Sequence, residues 1–334
     1  MFEFLGFRRR PSEVRHAADS SYTGTTSSEA SEAVKEGEVL ELGESRDVYS
    51  ITEGKESAAR GETEEGRYLL STYARMGRGA NEDSVGVLPD HNFYVLADGM
   101  GGKKGGSKAS SIAVRESLKA VTEGSKAQDK VFLEKTAKAI NIEVAGDPSL
   151  SEMGTTIVAF QVEKKKLRAV HAGDSRIRVY SRDANLVGIS RDHNYLQDEI
   201  TKTAIGLGGD KDEQLKISMC LPETISRFPN PITNVLRRDE KGFKQDTTLV
   251  KVTNAKEQLT PKGHVMLNRP ELVEEFDLES GSLVIISSDG FDMSEEEIAK
   301  AIREYGHDLK LLHLKFLEGS GQADNVSFII YQQK

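Results

Sequence analysis

Short apolar runs recur along the chain from Arg67 onward, and polar or glycine-containing segments separate them. They are rich in β-branched and aromatic residues, which is the pattern of β-strands bounded by turns. The clearest of these runs read RYLLSTY, FYVLAD, TTIVAFQV, LRAVHAG, SLVIISSD and VSFIIY. The pattern predicts that residues 67–334 form a domain built largely from strands.

Helical periodicity lies between pairs of these strands and does not follow each strand in turn. Apolar residues recur every three or four positions over residues 133–144, which places them on one face of a helix. Ser294 and Glu297 have the spacing of a capping box at the start of another helix. Paired helices between paired strands favour antiparallel sheets over a doubly wound parallel sheet, so the predicted class is α+β.

Two segments do not fit this texture. Residues 17–66 are rich in Ser, Thr, Glu, Gly and Ala and contain no Phe or Trp. Such a segment cannot bury enough apolar surface to offset the entropy lost on ordering, so we predict a disordered acidic tail over residues 1–66. Scattered apolar residues from Val39 to Ile51 could still dock onto the domain. Residues 205–270, with clustered glycines and prolines, predict a long excursion.

Charge and cysteine content narrow the function classes. The net charge is −9, and residues 1–66 alone hold 8 Lys and Arg against 15 Asp and Glu, so the rest is nearly balanced. Neither part has the concentrated basic face of a nucleic-acid binder. No apolar run approaches the roughly 18 residues of a membrane span, and the N-terminus lacks the order of a secretory signal. The single cysteine, Cys220, excludes an internal disulfide and a Cys-rich zinc site, so we expect a cytoplasmic protein.

Acidic residues stand where the predicted strands begin or end. An isolated Asp-Gly after a strand is most often a turn, but here the pattern recurs with Gly or Asn beside each aspartate. Rigidly held carboxylates are hard oxygen ligands that suit Mg²⁺ or Mn²⁺. The residues concerned are Asp98, Asp174, Asp289 and Asp324, with Glu82 and Asp83 ahead of the VGVL run.

The ordered set of motifs resembles the PPM family of metal-dependent phosphatases, the protein phosphatase 2C-like enzymes. The resemblance covers about residues 67–334. The DGMGG motif is similar to that of the bacterial-type branch of the family. Another branch has DGHAG at this place, with a histidine that is proposed as general acid. The matching segments are RGANED (78–83), DGMGG (98–102), GTT (154–156), GDSR (173–176), DH (192–193), SDG (288–290) and DN (324–325).

The resemblance implies a four-layer α-β-β-α sandwich, with two central antiparallel β-sheets and a metal centre at one end. It implies two ions, Mn²⁺ or Mg²⁺, with a third that binds more weakly, and an attacking water that the first two activate. In this resemblance Asp98 bridges both ions, with help from the Gly99 carbonyl. Asp289 and Asp324 complete one metal site, and Glu82 completes the other, with Asp83 behind it. Asp174 and Asp289 bind the third ion, and Arg78 holds the substrate phosphate.

The function implied is hydrolysis of phosphoserine and phosphothreonine in proteins, by a monomer that opposes a serine/threonine kinase. Two alternatives stay open: a binding or scaffold protein whose site has decayed, and a metal-dependent hydrolase of small phosphate esters. Asp292 stands in a segment one residue shorter than the family pattern, so it either binds the third ion or faces solvent. We expect His193 to form structural hydrogen bonds and His171 to point away from the centre.

Overall fold

Two β-sheets packed face to face form the centre of the molecule, and helices cover both outer faces. The computed structural model describes residues 39–43, 48–52, 56–74, 80–100, 105–129, 132–151, 153–193, 236–237, 246–251, 271–320 and 324–334. The predicted α-β-β-α arrangement is confirmed in this part of the chain. Among these residues, no helix is both long enough and apolar enough to cross a lipid bilayer.

The first sheet has nine strands within the described ranges, in the order β1-β3-β4-β17-β16-β10-β11-β13-β14. Its neighbours are antiparallel except β1 and β3, which run parallel. Its strands are β1 (Leu40–Gly43), β3 (Ser57–Glu62), β4 (Gly66–Tyr73), β10 (Arg176–Tyr180), β11 (Leu186–Ile189), β13 (Leu249–Lys251), β14 (Glu271–Val273), β16 (Leu283–Ser287) and β17 (Val326–Gln333).

The second sheet has eight strands in the described part, in the order β12-β7-β6-β8-β9-β15, and β5 links β2 to β6. All of its pairs are antiparallel. Its strands are β2 (Tyr49–Ile51), β5 (Asp83–Leu88), β6 (Phe93–Met100), β7 (Gly154–Thr155), β8 (Ile157–Glu163), β9 (Lys166–Ala172), β12 (Leu236–Arg237) and β15 (Phe276–Asp277).

Two pairs of helices form the outer layers in the described part of the chain. The second sheet packs against α1 (Gly105–Thr122) and α2 (Phe132–Gly146), and the first packs against α3 (Glu295–Tyr305) and α4 (Leu309–Gly319). The helix predicted from the 133–144 pattern is α2. The capping box of Ser294 and Glu297 is present at the start of α3, with both reciprocal hydrogen bonds.

Strand alternation distributes the apolar side chains among three clusters. Val95 and Leu96 are consecutive in β6, yet Val95 packs under α1 and α2 whereas Leu96 packs between the sheets. Ile285 and Ile286 in β16 divide in the same way between α3–α4 and the inter-sheet core. Because consecutive side chains point to opposite faces, a strand with helices on one side and a sheet on the other is apolar throughout.

The predicted boundary of the N-terminal tail is wrong. Of residues 1–66, the segments 40–43, 49–51 and 57–62 are strands, and all of β3 pairs with residues 67–72 of β4. The docking expected for Val39–Ile51 is present, since Ile51 is buried between the sheets. The average composition of fifty residues does not reveal these strands. At a sheet edge, backbone pairing and a few small apolar side chains are enough to form a strand. Residues 1–38 and most of 205–270 lie outside the described residues.

Candidate active site

Aspartates from both sheets meet at one end of the sandwich. Asp83 opens β5 and is paired in register with Asp98 near the end of β6. Asp174 lies in the turn between β9 and β10, Asp289 follows β16, and Asp324 precedes β17. The residues that the sequence motifs singled out are therefore brought together from strands far apart in the chain, and Asp83 at the floor is only 1% exposed.

Their charges interact strongly. Burial raises the pKa of Asp98 well above its usual value, and the charges of Asp83, Asp289, Asp174 and Asp324 raise it further. Burial raises the pKa of Asp83 to about 7, partly offset by hydroxyl hydrogen bonds from the serines beneath it. The pKa of Asp174 is also raised to about 7, by burial and then by the charge of Asp289. Carboxylates gathered in this way are costly unless cations neutralise them.

The donor set fits divalent cations with a preference for oxygen. Asp174 Oδ1 is buried and accepts no hydrogen bond from the described residues, although its carboxylate faces the cluster. The grouped side chains are all carboxylates, and hard oxygen donors are those that Mg²⁺ and Mn²⁺ prefer. Asp98, Asp174, Asp289 and Asp324 could therefore hold metal ions, with Asp83 buried behind Asp98.

The backbone of Asp98 is fixed by the GTT motif. The carbonyl oxygen of Asp98 accepts from the Thr156 amide at 2.8 Å and from the Thr155 hydroxyl at 2.9 Å. The Asp98 amide in turn donates to the Thr156 hydroxyl at 3.1 Å, and that hydroxyl lies 2.6 Å from Ser175 Oγ. The motif thus links Asp98 to the turn that carries Asp174.

Glu82 and Gly99 are held against the start of α1. The Glu82 carbonyl accepts from the Gly99 amide at 3.1 Å and from the Ser110 hydroxyl at 2.6 Å. The Glu82 side chain passes so close to Gly106 that a Cβ there would stand 2.5 Å from Oε1. Both Glu82 and Gly99 therefore lie beside the strand end that carries Asp98.

A layer of buried hydroxyl and amide groups supports Asp83, and the sequence motifs did not single out most of its members. The Thr72 hydroxyl lies 2.6 Å from Ser327 Oγ, and its oxygen accepts from Asn81 Nδ2 at 2.8 Å. The Ser288 amide donates to the Ser327 carbonyl, the Ser327 amide donates to Ser288 Oγ, and both side chains also reach Asp83. The available signal was the polar residue before each aspartate motif, Asn81 in NED and Ser288 in SDG.

The loop that carries Asp289 is braced by a buried arginine. Arg178 is 1% exposed; its Nε donates to Glu295 Oε1 at 2.7 Å and its Nη1 to Ser287 Oγ at 3.0 Å. Ser287 and Glu295 stand on either side of the loop, so the ion pair holds both of its ends. Asp292, within the loop, is exposed.

Several predicted residues take other places. Arg78 lies outside the described residues, so its contact with substrate phosphate stays a prediction. Arg176 of the GDSR motif forms a bidentate ion pair with Asp192, at 2.8 and 2.6 Å. His171 contacts the Arg191 carbonyl, and the Gly173 amide donates to His193 Nδ1, so both histidines form structural contacts beside Asp174.

Comparison with known proteins agrees with this geometry. Residues 78–310 match the protein phosphatase 2C family. A serine/threonine phosphatase stp of Listeria monocytogenes is 25% identical over 218 residues, 57% of this chain and 83% of that protein. The serine/threonine protein phosphatase PstP of Mycobacterium tuberculosis is 32% identical over 136 residues, but the match spans only 26% of its length.

Solved structures show the same fold. The catalytic domain of PstP in complex with two manganese ions superposes with a TM-score of 0.52 at 23% identity, covering 80% of this chain and 98% of that one. The PPM Ser-Thr phosphatase MsPP from Mycobacterium smegmatis, in complex with cacodylate, gives 0.53 at 19% identity with the same coverage.

The fold and the carboxylate cluster define a metal-dependent hydrolase built on an α-β-β-α sandwich. The chain belongs to the protein phosphatase 2C family. It is a metal-dependent serine/threonine protein phosphatase, as the ordered motifs predicted.

Proposed function

We propose that this phosphatase hydrolyses phosphoserine and phosphothreonine in protein substrates with two Mn²⁺ or Mg²⁺ ions at the carboxylate cluster. Asp98, Asp289 and Asp324 would hold one ion, and Asp98, Glu82 and the Gly99 carbonyl would hold the other. The observation that carries the proposal is the convergence on Asp98 of four further carboxylates, each of which raises its pKa.

The surrounding residues have distinct tasks. Asp83 lies behind Asp98 and orients it through the paired backbones of β5 and β6. Asp174 and Asp289 face each other closely enough for their charges to interact, which supports a third, weaker ion between them. When bound, divalent ions lower the pKa of a water molecule and offset charge on phosphoryl oxygens. Arg78 binds the phosphate through its planar fork of donors.

The test compares charge-removing variants at the centre. Asp98→Asn and Asp289→Asn keep the size of each side chain but remove a ligand charge, and we expect turnover of a phosphopeptide to fall by about 10²–10⁴-fold. Thermal unfolding should show that both variants remain folded. Asp90→Asn, an exposed acid on the turn between β5 and β6, is the matched control and should retain full activity.

The substrate panel separates the alternative functions. We expect the wild-type protein with Mn²⁺ to prefer a phosphopeptide over phosphodiesters, and EDTA to abolish turnover. Preference for a small diester would indicate a hydrolase of small phosphate esters. No turnover at saturating metal would indicate a scaffold protein, and near-normal turnover in both Asp variants would refute the ligand assignment.

The proposal extends to the cellular setting of the enzyme. We place the enzyme in the cytoplasm, as a monomer that opposes a serine/threonine kinase. The names of its relatives, all serine/threonine phosphatases, support phosphoproteins as substrates. Multi-angle light scattering at micromolar concentration tests the monomer, and a dimer there would refute it.

A further inference from the structure

Three segments that are distant in the chain meet beside the turn that carries Asp174. They are residues 171–174, 191–193 and 246–248. The backbones of His171 and Asp246 form a two-bond bridge, at 2.9 and 3.1 Å. The sequence motifs drew attention to the first two segments but not to Asp246, which no motif marks.

The Asp246 carboxylate is the hub of this cluster. Its Oδ1 accepts from the Thr248 amide at 2.9 Å and from the Thr248 hydroxyl at 2.7 Å. Its Oδ2 accepts from Arg191 Nη2 at 3.2 Å and lies 3.6 Å from His193 Nε2. The two oxygens therefore have different partners, and Thr248 decides which oxygen faces the histidine.

His193 grips the residue next to Asp174. The His193 amide donates to the Gly173 carbonyl at 2.8 Å, and the Gly173 amide donates to His193 Nδ1 at 3.2 Å. Gly173 has a φ of +115°, and a Cβ there would stand 2.7 Å from Thr156, so its position leaves little room for adjustment. Any rotation of Gly173 would displace Asp174, the next residue.

The hydrogen bonds fix the protonation of the ring. Because the Gly173 N–H donates to Nδ1, that nitrogen carries the lone pair, and a neutral imidazole then has its proton on Nε2. The Nε2–H points towards the Asp246 carboxylate, which favours this tautomer over the other. A carboxylate behind a histidine commonly selects the tautomer in this way.

A metal ion does not fit the same three side chains, although ligand atoms of His171, His193 and Asp246 lie within 4.8 Å of one another. His171 Nε2 stands 2.9 Å from the Arg191 carbonyl, which can only accept, so this nitrogen also carries a proton. The His171 proton is thus hydrogen-bonded to that carbonyl, while His193 Nε2 and the Arg191 guanidinium lie against the Asp246 carboxylate. Hydrogen-bond donors therefore already satisfy the Asp246 carboxylate, and a cation is not required to stabilise it.

We infer that His193 and Asp246 are positioning residues for Asp174: Asp246 selects the tautomer of His193, and His193 holds Gly173 so that the Asp174 carboxylate faces the metal centre. The inference rests on the proposed role of Asp174 as a ligand of the third ion.

Asp246→Asn tests the tautomer selection. Thr248 donates twice to Oδ1, so the amide nitrogen of the new side chain must take the place of Oδ2. There the amide N–H groups of the new side chain face the Nε2–H of His193. The imidazole relieves this clash when its proton moves to Nδ1. The Nδ1–H then faces the Gly173 N–H, and the hydrogen bond between His193 and Gly173 is lost. We expect the affinity for the weakest-bound Mn²⁺ to fall by about 10–100-fold, as for other residues that orient metal ligands.

Two variants of His193 separate positioning from packing. In His193→Asn the amide oxygen can occupy the place of Nδ1 and accept from Gly173, so Mn²⁺ binding should stay within about threefold of wild type. His193→Leu offers no acceptor and should match Asp246→Asn, by the same reasoning on lost orientation. His307→Asn, at an exposed position in the turn between α3 and α4, is the control.

The readouts are Mn²⁺ titration of the full-length protein by electron paramagnetic resonance and ¹⁵N NMR of labelled histidine. We expect the wild-type His193 spectrum to report protonated Nε2, and the Asp246→Asn spectrum to report protonated Nδ1, with the two tighter ions unaffected. An unchanged tautomer in Asp246→Asn would overturn the inference. If Asp246→Asn does not fold, the contrast between His193→Asn and His193→Leu decides in the same way.

Asp174→Asn distinguishes failure of the inference from failure of the proposed function. If it weakens the third ion whereas Asp246→Asn and His193→Leu do not, the inference is wrong and the proposed function stands. If Asp174→Asn leaves Mn²⁺ binding unchanged, the proposed role of Asp174 is wrong, and the positioning role falls with it.

Discussion

Gly99 and Gly106 lie back to back where β6 reaches the start of α1. A Cβ on Gly99 would overlap the carbonyl of Gly106, and a Cβ on Gly106 would stand 2.8 Å from the carbonyl oxygen of Gly99. Only two glycines allow the helix and the strand to approach this closely. The contact brings the first turn of α1 against Glu82 and the carboxylate cluster. The geometry of the centre therefore requires that neither Gly99 nor Gly106 has a Cβ atom.

Replacing Gly106 with alanine should therefore damage the centre. The added methyl group would press on Glu82 Oε1, and overpacking of this kind costs about 1–3 kcal/mol. We expect Gly106→Ala to lower both the unfolding temperature and the affinity for Mn²⁺. Gly146→Ala is the matched control, because it is also a helical glycine and has no atom within 4 Å of the new Cβ. Equal behaviour of the two variants would contradict the prediction.

A buried histidine should make stability depend on pH. His313 is fully buried, lies 3.1 Å from Ser71 Oγ, and packs against Phe328. Burial lowers its pKa to about 4, below the unfolded value of about 6.5. The unfolded chain then binds the extra proton between these values. The contribution of His313 to stability is complete above pH 6.5 and is lost as the pH falls towards 4, by up to about 3 kcal/mol.

Urea unfolding from pH 7.5 to 4.5 measures this dependence. His313→Gln should be less stable than wild type at neutral pH but lose less stability on acidification. His307→Gln removes an exposed histidine and should retain the wild-type slope. Parallel slopes for wild type and His313→Gln would show that another group accounts for the acid sensitivity.

Met100 predicts how the rate depends on the leaving group. It ends β6, at the position where the other family branch has a histidine proposed as general acid. A thioether cannot donate a proton, and such help is worth about 10²–10⁴-fold. His171 does not replace it, since its Nε2 is bonded to the Arg191 carbonyl. The rate on aryl phosphates should therefore fall steeply as the pKa of the leaving group rises.

Met100→His should flatten that dependence, and Met100→Leu, which also lacks a proton, should leave it steep. The measurement is kcat/KM across a series of substituted phenyl phosphates. A flat dependence in the wild-type protein would mean that another acid assists the leaving group.

Two truncations test the corrected N-terminal boundary. A protein that starts at Val39 keeps all described strands, and we expect an unchanged melting temperature with equal or greater activity if residues 1–38 compete with substrate. A protein that starts at Glu65 lacks β1–β3, exposes the edge of β4 and opens the core at Ile51. Several kcal/mol would be lost, and its melting temperature should fall by about 10 °C or more. Equal stability of both proteins would refute the boundary.

The sequence predicted the carboxylates because each one belongs to a local pattern, a strand that begins or ends at Asp beside Gly or Asn. Asp98 and Asp289 could be found from about five neighbouring letters each. Asp246 could not, because its partners His171 and His193 are more than fifty positions away and only the fold brings them together. Long-range contacts of this kind leave no period or motif in the chain.

The N-terminal strands escaped prediction for a different reason. β3 reads SAARGE, with small and charged residues that have little intrinsic preference for strands. It forms a strand because β4 offers an unpaired edge and because Ala58 and Ala59 fill the two small spaces on either face. Pairing with β4 therefore stabilises a strand in a segment whose own residues have little preference for one.

The position of β17 has a consequence for protein synthesis. Residues 326–333 are translated after every other described element, yet they lie between β4 and β16 in the middle of their sheet. Until they emerge from the ribosome, both neighbours have open edges and Asp324 is missing from the centre. The proposed role of Asp324 therefore predicts that the nascent chain has no phosphatase activity. A premature stop codon upstream of Asp324 should leave an inactive product with exposed strand edges that proteases can attack.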